Sequence, residues 1–279
     1  MPWPADERRL SDKRTFVLKK TLAIALIGAI DLLIGCSAPP AAGANTLMVF
    51  AAASLTDAFN EIGVQFSARY PGAHVVFNFG GSQQLRTQLE QGAVAHVFAS
   101  ANTREMDAAI DAGLVVSGAQ HTFVRNRLTV IVPRDNPGSV QALSDLAKPG
   151  LKVVLAGPGV PVGAYARAAL DKMNAQFGAT FSSAVIANVV SYEDNVKQVV
   201  AKIQLGEADA GIVYTSDVTP SAAEQLIAID IPDGFNVLAD YPIAPLEAAP
   251  NPELARAFVA YVLSDGGQSI LRKWSFITP

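Results

Sequence analysis

The fold is indicated most directly by residues 46–69, TLMVFAAASLTDAFNEIGVQFSAR. The apolar run LMVF at 47–50 is typical of a buried strand. Apolar residues then recur with the period of one helix face, at Leu55, Phe59, Ile62 and Phe66. We therefore expect a strand, a short junction containing Ser54, and an amphipathic helix.

The same strand-then-helix unit recurs along the chain. We expect strands near 74–79, 94–99, 152–156, 187–190 and 210–214, and helices after Gly81 up to Gly92 and at 103–112, 164–173, 195–205 and 252–263, with a further short helix ending near Trp274. Repeated units of this kind predict parallel sheets with helices on both faces.

Two stretches suggest that the chain passes between separate sheets. Residues 122–132 are long for one strand, and the run PRDNPG at 133–138 breaks them. Residues 237–246 contain YPIAP, which favours a strand at a sheet edge or at a crossing point. We expect two similar α/β lobes with a central cleft and two hinge crossings: lobe 1 from 46–125 and 232–279, lobe 2 from 126–231. Such proteins hinge shut on ligands.

The N-terminal residues 1–36 read as an export signal, followed by a linker at 37–45. Their apolar run, 21–30, has about half of the roughly 20 residues that a membrane anchor needs. It ends in LIGC at 33–36, which resembles a bacterial lipobox, so we expect lipidation at Cys36. Because Cys36 is the only cysteine, an intramolecular disulfide is excluded. The export route, Sec or twin-arginine, stays open.

Without residues 1–36 the chain keeps fifteen Lys and Arg against twenty-one Asp and Glu, a net charge of −6. Nucleic acid is therefore not an expected partner. Half of the whole chain is apolar, which is enough for a substantial core.

Three strand-to-helix junctions share a character: AAASLT at 51–56, GGSQ at 80–83 and VPVG at 160–163. The first turn of a helix carries about four unpaired N–H groups, and with the helix dipole they form an anion site without Lys or Arg. Such junctions gather at the carboxyl edge of an open α/β sheet. The pattern predicts an anion cleft containing Ser54 and Ser82, although each serine could equally be a simple N-cap.

The sequence lacks the motifs of several other kinds of site. Residues 152–163, KVVLAGPGVPVG, differ from a dinucleotide loop in glycine spacing and contain two prolines. Ser54 stands outside the G-x-S-x-G pattern of a serine hydrolase. His74, His96 and His121 lack zinc spacing, and no Asp/Glu cluster indicates calcium. We expect a binding protein rather than an enzyme, with no cofactor.

Nearly the whole chain from Thr46 onward resembles the molybdate-binding proteins of ABC importers. The matching blocks are FAAASL at 50–55, FGGS at 79–82, QGA at 91–93, VFASA at 97–101 and GEADAGIVY at 206–214. The resemblance implies a type II periplasmic-binding-protein fold and an extracytoplasmic, lipid-anchored monomer. It further implies molybdate, and also tungstate, as ligand and an ABC permease as partner.

The resemblance also implies a ligand site: side-chain hydroxyls of Ser54, Ser82 and Tyr214, and backbone amides of Val162 and Val196. Val162 stands where relatives often have alanine, and Gly81 where other members carry serine. Taken alone, Tyr214 could equally be a core ring with a solvated hydroxyl.

A different ligand on the same fold, such as sulfate, thiosulfate or ferric ion, is the alternative. Ferric ion would require several converging tyrosines, and only Tyr214 is placed to serve. A pocket made only of donors rejects oxyanions that carry a proton, because that proton would face another donor.

Overall fold

The computed structural model describes residues 45–279. The predicted signal segment 1–36 with Cys36, and residues 37–44 of the predicted linker, lie outside the described residues. Within the described part of the chain, no helix is both long and apolar enough to span a membrane.

Sheet 1 contains five strands in the order β2-β1-β3-β10-β4. Its strands are β1 (Thr46–Ala52), β2 (His74–Gly80), β3 (Val97–Ala99), β4 (His121–Asn126) and β10 (Ala239–Pro245). β1 pairs in parallel with β2 and β3, whereas β10 is antiparallel to β3 and β4. The helices of this lobe are α1 (Thr56–Arg69), α2 (Ser82–Glu90), α3 (Thr103–Asp111), α8 (Pro252–Leu263) and α9 (Asp265–Lys273).

Sheet 2 contains five strands in the order β7-β6-β8-β5-β9. Its strands are β5 (Leu128–Pro133), β6 (Val153–Ala156), β7 (Val189–Glu193), β8 (Ala210–Tyr214) and β9 (Leu226–Asp230). The helices of this lobe are α4 (Pro161–Phe177), α5 (Phe181–Ala187), α6 (Val196–Gln204) and α7 (Pro220–Ala223). The predicted fold class, two similar α/β lobes, is confirmed.

The apolar face predicted for α1 is buried as expected. Phe59, Ile62 and Phe66 are fully buried. Phe66 meets the ring of Phe258 on α8 edge-on at 5.3 Å between centroids. This packing fixes α1 against sheet 1 and thereby sets where its N-terminus points.

The long stretch 122–132 is two strands rather than one. β4 belongs to sheet 1 and β5 to sheet 2, so the chain changes sheets at Arg127. The backbone N–H of Arg127 donates to the side-chain Oδ1 of Asn126 at 3.0 Å instead of to a neighbouring strand. A local side-chain hydrogen bond of this kind competes with the ladder and ends it.

Of the two positions expected for the strand at 237–246, the sheet edge is wrong, whereas the crossing point is right, because the chain has just returned from the sheet of β9. β10 lies inside sheet 1, between β3 and β4. Pro242 cannot donate to the ladder, and the pairing register with β4 shifts between Tyr241 and Pro242. This irregularity accommodates the proline within the sheet.

Asn236 braces the return crossing from sheet 2 to sheet 1. Its side chain is buried, and its Oδ1 accepts from the backbone N–H of Leu128 at 3.0 Å. Its Nδ2 donates to the carbonyls of Leu128 and Ile231, both at 2.9 Å. One amide therefore ties the two crossings together.

Asn236→Ala should lower the free energy of unfolding by about 3 kcal/mol, because several buried backbone groups lose their partners at once. Urea denaturation measures the change. Asn60→Ala, at an exposed position of α1, is the control and should alter stability by less than about 0.5 kcal/mol. Equal stability of the two variants would contradict the bracing role.

Candidate functional site

A small cavity lies between the lobes, where strand ends meet helix starts. It is lined by Ala52, Ala53, Ser54, Gly80, Gly81, Ser82, Ala101, Val160, Pro161, Val162, Asn195, Val196 and Tyr214. All five sequence-predicted site residues are among them. Its volume of about 10 Å3 is close to the minimum that holds one water molecule. The space between the lobes is therefore small, and it suits a small ion better than an organic ligand.

The two serines are not helix caps. The N-cap positions of α1 and α2 are Leu55 and Gly81, and neither makes a side-chain capping bond. Ser54 lies in a short 3₁₀ turn, with its Oγ 2.9 Å from the Tyr241 hydroxyl. The Oγ of Ser82 accepts from the backbone N–H of Ala101 at 3.0 Å, which leaves the Ser82 O–H available as a donor. The N-cap alternative is therefore wrong.

The starts of α4 and α6 supply backbone donors from lobe 2. Pro161 opens α4 without an N–H, so Val162 is the first residue of that helix with an amide to offer. α6 opens with Val196, and the side chain of Asn195 accepts from the N–H of Gln198 at 3.2 Å. Asn195 is therefore the N-cap of α6. It satisfies a deeper amide of α6 rather than that of Val196.

Gly163 allows α4 to begin directly against the end of β6. A Cβ at this position would lie 2.1 Å from the carbonyl oxygen of Gly157 and 2.4 Å from that of Ala156. Because both obstacles are backbone atoms, any side chain here would push the start of α4 away. The glycine thus sets the position of the neighbouring Val162 amide in the cavity.

Tyr214 ends β8 and is 1% exposed. Within the described part of the chain, its buried hydroxyl has no hydrogen-bond partner of ordinary geometry. Burial, reinforced by the neighbouring Tyr241 hydroxyl, raises the pKa of Tyr214 well above its ordinary value. The group therefore remains a protonated donor. A buried donor without a protein partner on a cavity wall is what a ligand oxygen would satisfy.

No residue lining the cavity, among those the structure describes, carries a charge. The nearest charged cluster begins one residue into α6, at Lys197. Its Nζ lies 2.7 Å from Oδ2 of Asp57 on α1 and 3.5 Å from Oδ1 of Asp217. Burial lowers the pKa of Lys197, but the two carboxylates outweigh it and the net shift is upward. Lys197 is therefore an ammonium ion already paired within the protein.

Further contacts join the lobes beside the cavity. Gln83 Nε2 donates to the carbonyl of Asp194 at 3.2 Å. A Cβ on Gly81 would stand 2.4 Å from that same oxygen. On the opposite rim, Arg104 Nη2 donates to the carbonyl of Gly159 at 2.9 Å. These contacts describe lobes that have closed.

The sequence patterns did not predict the contacts made around the cavity by Asp57, Gln83, Arg104, Lys197 and Asp217. Nor did they predict that the backbone of Gly81 lies too close to the other lobe for a side chain. Only Lys197 could have been noticed from the sequence. It stands in the first turn of a predicted helix, where a cation is unfavourable next to the helix dipole and therefore needs a partner. The partners come from distant parts of the chain, so no local pattern announces them.

The rival chemistries find no support in the described residues. No group of three or more His, Cys, Asp or Glu side chains at 45–279 could hold a metal ion. His96 is buried, and its Nδ1 accepts from the backbone N–H of Met48 at 3.0 Å. That is a structural role.

Residues 47–277 match the family profile of bacterial extracellular solute-binding proteins. The chain belongs to this family. Its members are solute-binding proteins rather than enzymes, which confirms that expectation.

Among curated relatives, this solute-binding protein is 41% identical over 242 residues to the molybdate-binding protein ModA of Mycobacterium tuberculosis strain H37Rv, covering 87% of this chain and 88% of that one. It is 30% identical over 239 residues to the molybdate-binding protein ModA of Escherichia coli K12, covering 82% and 88%.

Solved structures share the fold. The periplasmic molybdate-binding protein of Azotobacter vinelandii superposes with a TM-score of 0.73 at 20% identity, covering 84% of this chain and 99% of that one. The sulfate-binding protein SubI of Mycobacterium tuberculosis H37Rv gives 0.74 at 16% identity, covering 83% and 86%. At these identities the likeness concerns the fold alone.

Asp217 should give this solute-binding protein a distinctive pH dependence. Its burial outweighs the opposing effects of Lys197 and the Tyr214 amide and raises the pKa of Asp217 from 3.8 to about 6. Between these values the folded protein binds more protons at this site than the unfolded chain. The stabilisation from Asp217 therefore falls as pH rises from about 4 to about 6.

Urea denaturation of the wild type and of Asp217→Asn at several pH values isolates this effect. The difference in free energy of unfolding, wild type minus variant, should decline from about pH 4 to about pH 6 and level off above about pH 7. A difference that grows with pH would show that the ion pair with Lys197 lowers the pKa instead.

Proposed function

We propose that this protein captures molybdate, and tungstate alongside it, as the extracytoplasmic component of an ABC importer. The observation that carries the proposal is the unpartnered, buried hydroxyl of Tyr214 in a cavity without charged side chains. The two curated relatives named as molybdate-binding proteins support the choice of ligand.

In this proposal Ser54, Ser82 and Tyr214 donate through their hydroxyls, and Val162 and Val196 through their backbone amides. Ser54 and Ser82 belong to lobe 1, and the other three belong to lobe 2. The lobes are 46–125 with 232–279, and 126–231. A ligand that needs donors from both sides is held only when the cleft closes.

The five hydrogen-bond donors explain how a cavity without cations can bind a dianion. A buried charge is costly unless it is multiply hydrogen-bonded, and hydrogen bonds to an ionised group are roughly twice as strong as neutral ones. Five pre-arranged donors meet both conditions. Because the set contains no intended acceptor, a fully deprotonated oxyanion such as molybdate is favoured over phosphate, which carries a proton near neutral pH.

Sulfate or thiosulfate on the same fold is the second candidate ligand. Sulfate, like molybdate, is fully deprotonated, so the donors cannot distinguish the two ions by charge. Discrimination between them must depend on the size of the ion. The sulfate-binding structure shares the fold alone at 16% identity. Molybdate is therefore the ligand we propose.

Titration calorimetry should show heat with molybdate and tungstate and much weaker binding of sulfate and phosphate. Ligand at 100 times its dissociation constant should stabilise the fold by about 2.7 kcal/mol. Heat with sulfate but none with molybdate or tungstate would refute the proposed ligand.

Tyr214→Phe tests the site most cleanly, because it removes a hydroxyl that has no protein partner. Molybdate affinity should fall about ten- to a hundredfold, the worth of one hydrogen bond to a charged group, while stability stays the same or rises. Tyr261→Phe is the matched control, since Tyr261 lies on α8 and outside the cavity lining.

Tyr261→Phe should bind molybdate as the wild type does. If Tyr214→Phe binds molybdate as the wild type does, the Tyr214 hydroxyl is not a ligand donor. The serines are tested in the same titration: Ser54→Ala and Ser82→Ala should each weaken binding, with Ser100→Ala, a buried serine bonded to the Asn102 carbonyl, as control.

The proposal also includes the route to the cell surface: export directed by residues 1–36, lipidation at Cys36 and delivery of the ligand to an ABC permease by a monomer. The LIGC sequence at 33–36 supports the lipid anchor. One acyl chain binds membranes weakly, so stable anchoring requires more than one.

Cys36→Ser should leave the precursor uncleaved or release the protein from the membrane fraction. Fractionation and the mass of the mature N-terminus measure this. An unchanged mass and membrane fraction would refute lipidation. Ser37→Ala, at the adjacent position, is the control and should retain the lipid.

A further inference from the structure

We infer that Asp57 and Lys197 form a positioning pair that clamps the ligand-facing starts of α1 and α6 together when the lobes close. The inference rests on the proposed function, because it assigns a role in ligand capture to residues outside the cavity. Neither residue lines the cavity.

The two residues occupy equivalent places on two helices from different lobes. Asp57 is the second residue of α1, and Lys197 is the second residue of α6. Their charged atoms are 2.7 Å apart, and their side chains are 35% and 29% exposed. The ion pair therefore links the first turn of α1, which directly follows the turn that contains Ser54, to the first turn of α6, which begins with Val196.

Lys197 also has a partner on its own lobe. Asp217 is buried and lies 3.5 Å from Lys197 Nζ. The other carboxylate oxygen of Asp217 accepts from the backbone N–H of Tyr214 at 3.2 Å. Lys197 is thus tied through one carboxylate to the strand end that carries the Tyr214 hydroxyl, and Asp57 reaches it from the opposite lobe.

The charges explain why closure and ligand capture are coupled. A carboxylate at the start of α1 would repel an oxyanion bound a few residues away. Pairing with Lys197 offsets the charge of Asp57, and the pair exists only when the lobes meet. The repulsion is therefore relieved in the closed state that surrounds the ligand.

The test compares Asp57→Asn with Asp265→Asn. Asp265 is an exposed first-turn carboxylate on α9, so its replacement removes a comparable helix-start charge without the contact between lobes. Asp57→Asn leaves Lys197 paired with Asp217, which keeps the fold intact. Molybdate affinity is measured by calorimetry and dissociation by stopped-flow fluorescence, at low and high salt.

Asp57→Asn should weaken binding about three- to fivefold, chiefly through faster dissociation, and the salt dependence of dissociation should flatten. Asp57→Glu should restore most of the affinity, and Asp265→Asn should stay within about twofold of the wild type. This pattern supports the clamp.

Unchanged or tighter binding in Asp57→Asn, with molybdate binding intact in the wild type, would overturn the clamp and leave the proposed function standing, because repulsion by the carboxylate would then match or outweigh the ion pair. Equal weakening in Asp57→Asn and Asp265→Asn would also overturn it, because the effect would then be that of lost helix-start charge. A wild type that binds sulfate and not molybdate would refute the proposed ligand, and the same comparison made with sulfate would then decide the clamp.

Discussion

Unpaired N–H groups at helix starts are the constraint on which the rest of this structure depends. Each helix leaves about four amide donors without intrahelical partners, and buried donors must find acceptors. Here the starts of α2, α4 and α6 and the turn before α1 converge on one cavity. Several helix starts buried at one point leave donors that lack intrahelical partners, and in the proposed function an anion supplies their acceptors.

The sheets deliver those helix starts from two sides. β1 and β2 end beside Ser54 and Ser82, while β6 and β8 end beside Val162 and Tyr214. The chain changes sheets at Arg127 and returns past Asn236, whose amide binds both crossings. The two donor sets therefore lie on separate sheets, and hydrogen bonds of Gln83 and Arg104 connect the lobes across the cleft.

Sequence patterns predicted the fold class and most elements, because α1, β8 and α8 have strong apolar periodicity. They missed α5 and β9, which are short and partly exposed. They also misjudged β10, since the bulge that tolerates Pro242 depends on the register with β4. The five residues implied by the family resemblance do share one cavity, yet their ligand contacts stay a prediction. The pairing of Lys197 with its two carboxylates was beyond reach, because it joins residues far apart in the chain.

In the proposed function, the distribution of charge explains how an acidic protein can hold an anion. A lysine inside the cavity would attract any oxyanion, protonated or not, and would discriminate poorly among them. In this molecule the nearest ammonium, Lys197, is instead paired with two carboxylates outside the cavity. The cavity keeps only neutral donors of fixed direction, including a tyrosine hydroxyl whose pKa is raised by burial. Selectivity then rests on the number and placement of donors, and the net charge of the chain has little part in it.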